Sequence, residues 1–418
     1  MLDVIRPGDP RYGRVRHVYT GTGSPAAVVR PRSAAETAEA LAWARAQDGA
    51  LSIRSGGHGI SSRATNDGGT VIDLAELHAV ERIEGDLVRV GPGARWSDVA
   101  RTLRPWGLVI SSGDSGDVGV GGLGTTGGIG LLGRAHGLTI DRLTAAEIVT
   151  ADGQVRTVDA EHEPDLFWAV RGAGANVGIA TSLVFRAARV PSVVQAMFQY
   201  HLADGAASFL EAWGAAVEAA PREVTAFAYL MGTGQALGAL VYAGADTTAA
   251  ERAFAPFAAL APLLGGRTAP MPYGDAILTT GGPHYGQQTA YMRNGFAVHL
   301  DRPTSTALES FAQNAFGSML QIRATGGAVN DVPADATAFA HRHQHFNVAV
   351  ATGLPSAVVD TAWERLRPFL DGLYLSFETA FSHQRLTDAF PPETLARLRE
   401  IKRKADPENL FDQNFPVT

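Results

Sequence analysis

The stretch RSGGHGISSRATNDGG, Arg54 to Gly69, sets one histidine, His58, among Gly56, Gly57 and Gly59. Glycine permits positive-φ turns and lets main-chain amides approach a ligand closely, and consecutive amides in such a turn hold anions such as phosphate. A neutral imidazole beside them is a competent nucleophile. The same letters also describe a tight turn with a surface histidine, and the fragment alone leaves both readings open. A second block, SSGDSGDVGVGGLGTTGGIG over 111–130, is denser still. Its GVGGLG matches a dinucleotide fingerprint in letters, but no helix of usual length follows and the glycines run on to Gly130, which sets a nicotinamide Rossmann site aside. No P-loop sequence occurs. Further along, His341, His343 and His345 alternate in HRHQHF and would share one strand face, a spacing conceivable for a metal.

These residues need elements to hold them. SAAETAEALAWARAQDG opens on a capping box, Ser33 with Glu36, and reads as a helix from about 34 to 48. ALSIRSGG reads as a strand entering the first glycine loop, and GTVIDL as a second buried strand. LVRVGPGARWSDVARTLRPWGL repeats the scheme of strand, glycine turn and helix. A short helix is expected near Gly137, a hairpin at Asp152-Gly153, and a strand alternating at Ile179, Thr181, Leu183 and Phe185. After about Pro191 the glycine loops thin out. Ala-rich amphipathic segments such as GAASFLEAWGAAVEAA then alternate with strand-like runs such as ALGALVYAG, a texture that suggests an antiparallel sheet with helices on one face. The basic helix RLREIKRKA ends at Asp406-Pro407.

With 418 residues, 45% hydrophobic and 18% charged, the chain is globular and long enough for two domains. Asp and Glu number 42 against 35 Lys and Arg, a net charge of −7, so nucleic acid is not an expected partner. No window reaches the ~18 apolar residues of a membrane span and no signal-peptide pattern opens the sequence; the expectation is a soluble, cytoplasmic protein, monomeric or homodimeric. The absence of cysteine removes disulfides, thiolate metal sites and thiol nucleophiles together. Glycine, 47 residues, is about 11% of the chain where ~7% is usual, and three glycine-dense loops in one half would suit a ligand with two phosphates.

RSGGH with NDGG and IDL, then GDSGDVGVGGLGTTGGIGLLGRAHGLTIDRLTAAEIVTADG, EPDLFWAVRGAGANVGIAT and the ending IKRKADPENLFDQN, resemble in order the berberine-bridge-enzyme-like oxidases of the vanillyl-alcohol-oxidase superfamily. TAFAHR at 337–342 and GLYLSFE at 372–378 resemble landmarks of that family's substrate half. The likeness covers nearly the whole chain and is nearest to bacterial members. It implies an α+β, two-domain PCMH-type FAD-binding fold: an FAD-binding domain over 1–190 completed by 385–418, and a substrate-binding domain over 191–384 with an antiparallel sheet flanked by helices.

The resemblance also implies the chemistry. His58 matches the histidine that bonds to the flavin 8α-methyl, and Arg54, Ser55, Gly56, Gly57, Gly59, Ser115, Val118, Gly119, Gly121, Gly122, Thr125, Gly128, Gly178, Ile179 and Asn414 match cofactor-binding positions. Many relatives carry a second, cysteinyl bond; Ser115 stands there, and a hydroxyl makes no thioether. Val118 falls at the gatekeeper position beside the oxygen-reactive face, and Leu123 replaces a histidine. Tyr374 matches the tyrosine that reaches the substrate, with Ser376 where the motif has asparagine. His343, His345 and Tyr291 are further candidates for the catalytic pocket, and the family uses no metal. The implied reaction is two-electron oxidation of an alcohol or amine carbon of a small molecule, with O2 reduced to H2O2. A flavin-dependent oxygenase or oxidative cyclase of natural-product tailoring, and a non-catalytic flavin-binding protein, are the alternatives.

Overall fold

The computed structural model describes the chain except residues 232, 233, 278, 280–285, 287–290, 315–317 and 355, and the side chains of 231 and 314. Strands β1 Asp3–Ile5, β2 Ala27–Arg30, β3 Leu51–Arg54 and β4 Thr70–Asp73 form a sheet in the order β1-β2-β4-β3, parallel apart from the β1–β2 pair. Strands β5 Val80–Arg82, β6 Leu87–Val90, β8 Leu143–Val149, β9 Val155–Asp159 and β10 Ile179–Arg186 form an antiparallel sheet, β5-β6-β10-β8-β9, and β7 Leu108–Val109 pairs with β11 Ala188–Arg189. The third large sheet is antiparallel throughout: β12 Val193–His201, β13 Val224–Met231, β14 Gln235–Tyr242, β15 Leu263–Met271, β16 Tyr291–Ala297, β17 Met319–Ala324 and β18 Phe346–Thr352, in the order β15-β12-β14-β13-β17-β18-β16. Among the described residues no helix is long and apolar enough to cross a membrane.

Local chemistry accounts for most of these elements. Ser33 caps the helix Ala34–Arg45 by accepting from the Glu36 amide, but Glu36 turns to the Arg32 amide at 2.9 Å, leaving the capping box half closed. In β10 the expected alternation holds, with Ile179, Thr181, Leu183 and Phe185 buried. Asp152-Gly153 turns β8 into β9 with Gly153 at φ +79°. The second glycine block departs from the sequence reading: part of it is a helix, Val120–Thr126. Glycine disfavours helix by ~1 kcal/mol per residue, but close packing selects it here. A Cβ on Gly121 would lie 2.8 Å from the Pro92 Cβ, and one on Gly124 would lie 3.1 Å from the Phe185 ring.

The seven-stranded sheet has two different faces. In β13, Val224, Ala226, Ala228 and Leu230 pack with Leu320 and Ile322 of β17 under the helices Ala206–Ala219, Thr247–Ala258 and Ser356–Leu366. The intervening Phe227 lies in a separate cluster with Ile129, Leu131, Phe296, Phe339 and Tyr374, against the glycine-rich half. The helix Pro392–Ala405 and the residues before and after it pack the other way, Leu395, Leu398 and Val417 joining the core of the five-stranded sheet.

The run 341–345 is not a strand: β18 begins at Phe346, and the five residues before it are irregular. His341 is buried, stacked on Phe296 at 4.9 Å, and its Nε2 donates to the Ala389 carbonyl at 3.0 Å. His343 is exposed and bonded to Asp371 at 2.7 Å. His345 points elsewhere, toward Glu218. The three side chains therefore share no face.

Two outcomes follow from this packing. A Cβ on Gly56 would sit 2.6 Å from Gly119 Cα, and one on Gly119 would run into the Gly56 nitrogen, so Gly119→Ala should lower the unfolding free energy by about 1–3 kcal/mol; an unchanged urea midpoint would show that the two loops part without cost. Burial holds the His341 imidazole down to about 4, against about 6.5 for an ordinary solvated imidazole. Between these values the unfolded chain carries a proton that the native imidazole refuses. Stability from this group is therefore complete above about pH 6.5 and declines as pH falls toward about 4, by up to ~1.4 kcal/mol per pH unit. His341→Leu should flatten the pH dependence of the unfolding free energy between about pH 5 and 6.5; an unaltered slope would assign it to other groups.

Candidate active site

Backbone contact between Gly56 and Gly119 joins the His58 loop to the second glycine block. Ser55 reinforces it: its Oγ donates to the Pro92 carbonyl at 2.5 Å and accepts from the Gly121 amide at 3.2 Å. Beneath the loop, the Arg54 guanidinium bonds Asp73 at 3.0 Å, both side chains buried, and its stem lies 3.3 Å from where a Gly57 Cβ would be. Gly57 has φ +66° and its carbonyl accepts from the Tyr19 amide at 2.8 Å. The Tyr19 ring then stacks on His58 at 4.0 Å, with 12° between planes. The imidazole is thus oriented by a residue that the sequence pattern does not single out.

Many of the amides in these two loops have no described acceptor. Those of Ser55, Gly56, Gly57 and Gly59, and those of Gly113, Asp114, Ser115, Gly116, Val118 and Gly119, donate to no other described residue. Beside them, a Cβ on Gly59 or Gly122 would meet nothing within 4 Å. Unengaged amides of this kind are the donor set that an anion needs.

The polar face of the seven-stranded sheet stands opposite. Gln321 and Arg323 alternate with Leu320, Ile322 and Ala324 along β17, and Tyr229 of β13 pairs in register with Gln321. Arg323 donates to Asp114 at 2.8 Å and to Gln321 at 2.6 Å, and Tyr229 donates to Asp114 at 3.0 Å. The Phe227 and Phe377 rings flank the guanidinium, 5.1 and 4.7 Å away. Burial, and then the Asp114 carboxylate, push the Tyr229 phenol far above its ordinary range, so it stays a donor. For Arg323, burial works against the charge, but Asp114, Tyr229 and Tyr374 outweigh it and raise its pKa.

Tyr374 closes this face. It is 3% exposed, and its hydroxyl accepts from the Gly128 amide at 2.8 Å, which leaves the phenolic proton for another partner. Asn294 clamps its backbone, accepting from the Tyr374 amide at 2.8 Å and donating to its carbonyl at 2.9 Å. Asn347 in turn donates to Asn294. Ser376, at the motif position of asparagine, hydrogen-bonds Thr126 at the end of the glycine helix.

The expected site residues therefore divide. Gly56, Val118 and Gly119 meet where the two loops touch, with Gly57 and His58 following in the first loop; Gly59, Ser115 and Gly122 lie on the same two segments, and Gly128 meets Tyr374. Arg54, Ser55, Gly121 and Thr125 brace the two loops instead: Arg54 is committed to Asp73, Ser55 to Pro92 and Gly121, and Thr125 Oγ1 to the Gly121 carbonyl at 2.7 Å. Gly178 is held by close packing on the Val149 carbonyl, and Ile179 is a core residue of β10. Asn414 is exposed on the C-terminal tail without a described hydrogen bond. His343 and His345 have no described contact with Tyr374 or the glycine loops, because the irregular 341–345 segment sends them outward, and Tyr291 is 40% exposed with Arg293 5.7 Å from its ring. Sequence reading missed Asp114, Tyr229, Gln321 and Arg323. The period-two polar pattern of MLQIRA was the available signal.

Residues 25–159 match the FAD binding domain family. The chain is 34% identical to (R)-6-hydroxynicotine oxidase of Paenarthrobacter nicotinovorans over 47% of its own length and 43% of that protein, so this match spans less than half of the relative. It is 28% identical to an uncharacterized FAD-linked oxidoreductase, YgaK, of Bacillus subtilis (strain 168), over 99% of this chain and 96% of that one. Among solved structures, Physcomitrella patens BBE-like 1 has the same fold, with a TM-score of 0.89 at 20% identity over 100% of this chain and 97% of that one. Both glycine blocks thus lie within the matched FAD binding domain, full-length similarity runs to an FAD-linked oxidoreductase, and the whole chain has the fold of the solved berberine-bridge-enzyme-like protein.

Proposed function

We propose that the protein is an oxidase that takes two electrons from an alcohol or amine carbon of a small organic substrate and passes them to O2, releasing H2O2. The observation that carries this reading is the placement of Tyr374 beside the polar sheet face of Arg323, which Asp114 ties to glycine loops rich in unengaged amides. The residues present fit FAD: the 55–59 and 113–119 amides suit its pyrophosphate, and the open flank at Gly59 and Gly122 leaves space for its rings. When bound, FAD supplies the hydride acceptor and the route of electrons to O2. His58, held flat by Tyr19, is the attachment residue, and Ser115 permits no second, cysteinyl bond. The substrate lies on the sheet face, where Gln321 orients its polar groups. Tyr374 is the base for the proton released as the carbon is oxidised, its hydroxyl oxygen held in place by the Gly128 amide beside the Arg323 face. A hydroxynicotine oxidase among the relatives supports including amines among the substrates.

Acid precipitation should leave a yellow pellet, and His58→Ala should release the flavin into the supernatant; a colourless wild-type pellet would overturn covalent attachment while leaving the FAD site intact. Oxygen uptake with a panel of amines and alcohols identifies the substrate. With that substrate, Tyr374→Phe should slow anaerobic flavin reduction by on the order of 10²–10⁴ at nearly unchanged binding. An unchanged reduction rate would remove Tyr374 as the base and favour an amine that reacts in its neutral form.

A further inference from the structure

Away from the polar sheet face, Glu218, His299 and His345 converge from three elements. Glu218 lies in the last turn of the helix Ala206–Ala219, His299 follows β16, and His345 precedes β18. Strand pairing sets the two histidines: Ala297 and Phe346 are register partners, and the His345 amide donates to the Ala297 carbonyl at 3.1 Å. The His345 carbonyl accepts from the Thr325 amide at 2.7 Å, so its backbone is fixed on both sides. The helix is held against this corner by Gly214, where a Cβ would lie 2.7 Å from the Leu300 Cβ. The scaffold of the cluster is therefore rigid even though the side chains reach solvent.

The ligand atoms face one another. His299 Nδ1 is 3.1 Å from both Glu218 carboxylate oxygens, and His345 Nδ1 is 3.9 Å from Oε1. The rings stand at 78° with centroids 5.7 Å apart, and one ligand atom from each of the three residues falls within 4.8 Å of the others. Ligands about 2.1 Å from a tetrahedral zinc are themselves roughly 3.4 Å apart, so small side-chain rotations bring all three onto one ion. Two imidazoles and one carboxylate suit a borderline transition metal, whereas magnesium and calcium prefer oxygen alone. The exposure of the cluster, with side-chain accessibilities of 58% for His299, 35% for His345 and 29% for Glu218, leaves a fourth position for water.

We propose that Glu218, His299 and His345 form a divalent transition-metal site of the zinc class, which ties the C-terminal end of the helix Ala206–Ala219 to the adjoining ends of β16 and β18. The ion acts as a structural clamp and takes no part in the oxidation, since none of its ligands contacts Tyr374, Arg323 or the glycine loops among the described contacts.

The test uses the flavin-loaded protein, stripped with chelator and desalted. Titration with zinc chloride at neutral pH should show one ion bound per chain and a higher melting temperature at saturation. Cobalt(II) should give visible ligand-field bands of a low-symmetry site. His299→Ala, at an exposed position, and His345→Ala should each abolish both signals while flavin content and oxidase turnover stay at wild-type levels, and Glu218→Gln should weaken zinc binding at least tenfold. Absence of stoichiometric zinc uptake by the wild type, or uptake that survives the His299→Ala/His345→Ala double variant, would overturn the assignment.

Discussion

The contact on which the site depends is one between two backbones with no side chain between them. Gly56 and Gly119 lie so close that neither tolerates a Cβ, and a glycine pair alone lets the first loop touch the start of the glycine helix. Ser55 completes the junction by bridging Pro92 and Gly121. Many amides of the two loops donate to no described residue, where an extended chain would have paired them in a sheet. The cost is conformational: glycine loses more freedom on folding than any other residue. The buried Arg54–Asp73 pair and the Tyr19 amide bond to Gly57 help hold the loop in that one shape.

A second constraint joins this junction to the rest of the chain. Asp114 belongs to the glycine block, yet its hydrogen-bonding partners Arg323 and Tyr229 belong to the seven-stranded sheet. Removing a carboxylate and a guanidinium from water is costly unless they are engaged, and here Asp114, Gln321 and two aromatic rings surround Arg323, leaving its buried Nε without a described partner. The arrangement fixes the distance between the two halves and leaves a positive charge near Tyr374. The period of two along β17 makes this possible, since the same strand gives Leu320 and Ile322 to the helix-covered core and Gln321 and Arg323 to the opposite face.

The three histidines of HRHQHF illustrate how little residue type decides by itself. His341 is a buried, neutral packing residue, His343 a surface partner of Asp371, and His345 part of a cluster with residues far away in sequence. An alternating pattern implies one shared face only if the backbone is extended. Here the chain becomes a strand only at Phe346, after it has passed under Gly372, whose lack of a side chain admits the His341 ring.

What the sequence determined by itself was local or periodic: the Ser33 cap, the Asp152-Gly153 turn, the alternation of β10, and two glycine blocks too dense for ordinary turns, with His58 inside the first. Ordered motifs carried the fold and the FAD. What only the tertiary structure decided was which groups meet. Tyr19 reaches His58 across 39 positions of sequence, and Asp114 reaches Arg323 across 209; neither pairing leaves a local trace. The glycine helix likewise runs against its own propensity, because close approach of Pro92 and Phe185 outweighs the ~1 kcal/mol that each glycine disfavours helix. Propensity and periodicity act over a few residues, whereas packing acts between surfaces that exist only once the chain has folded.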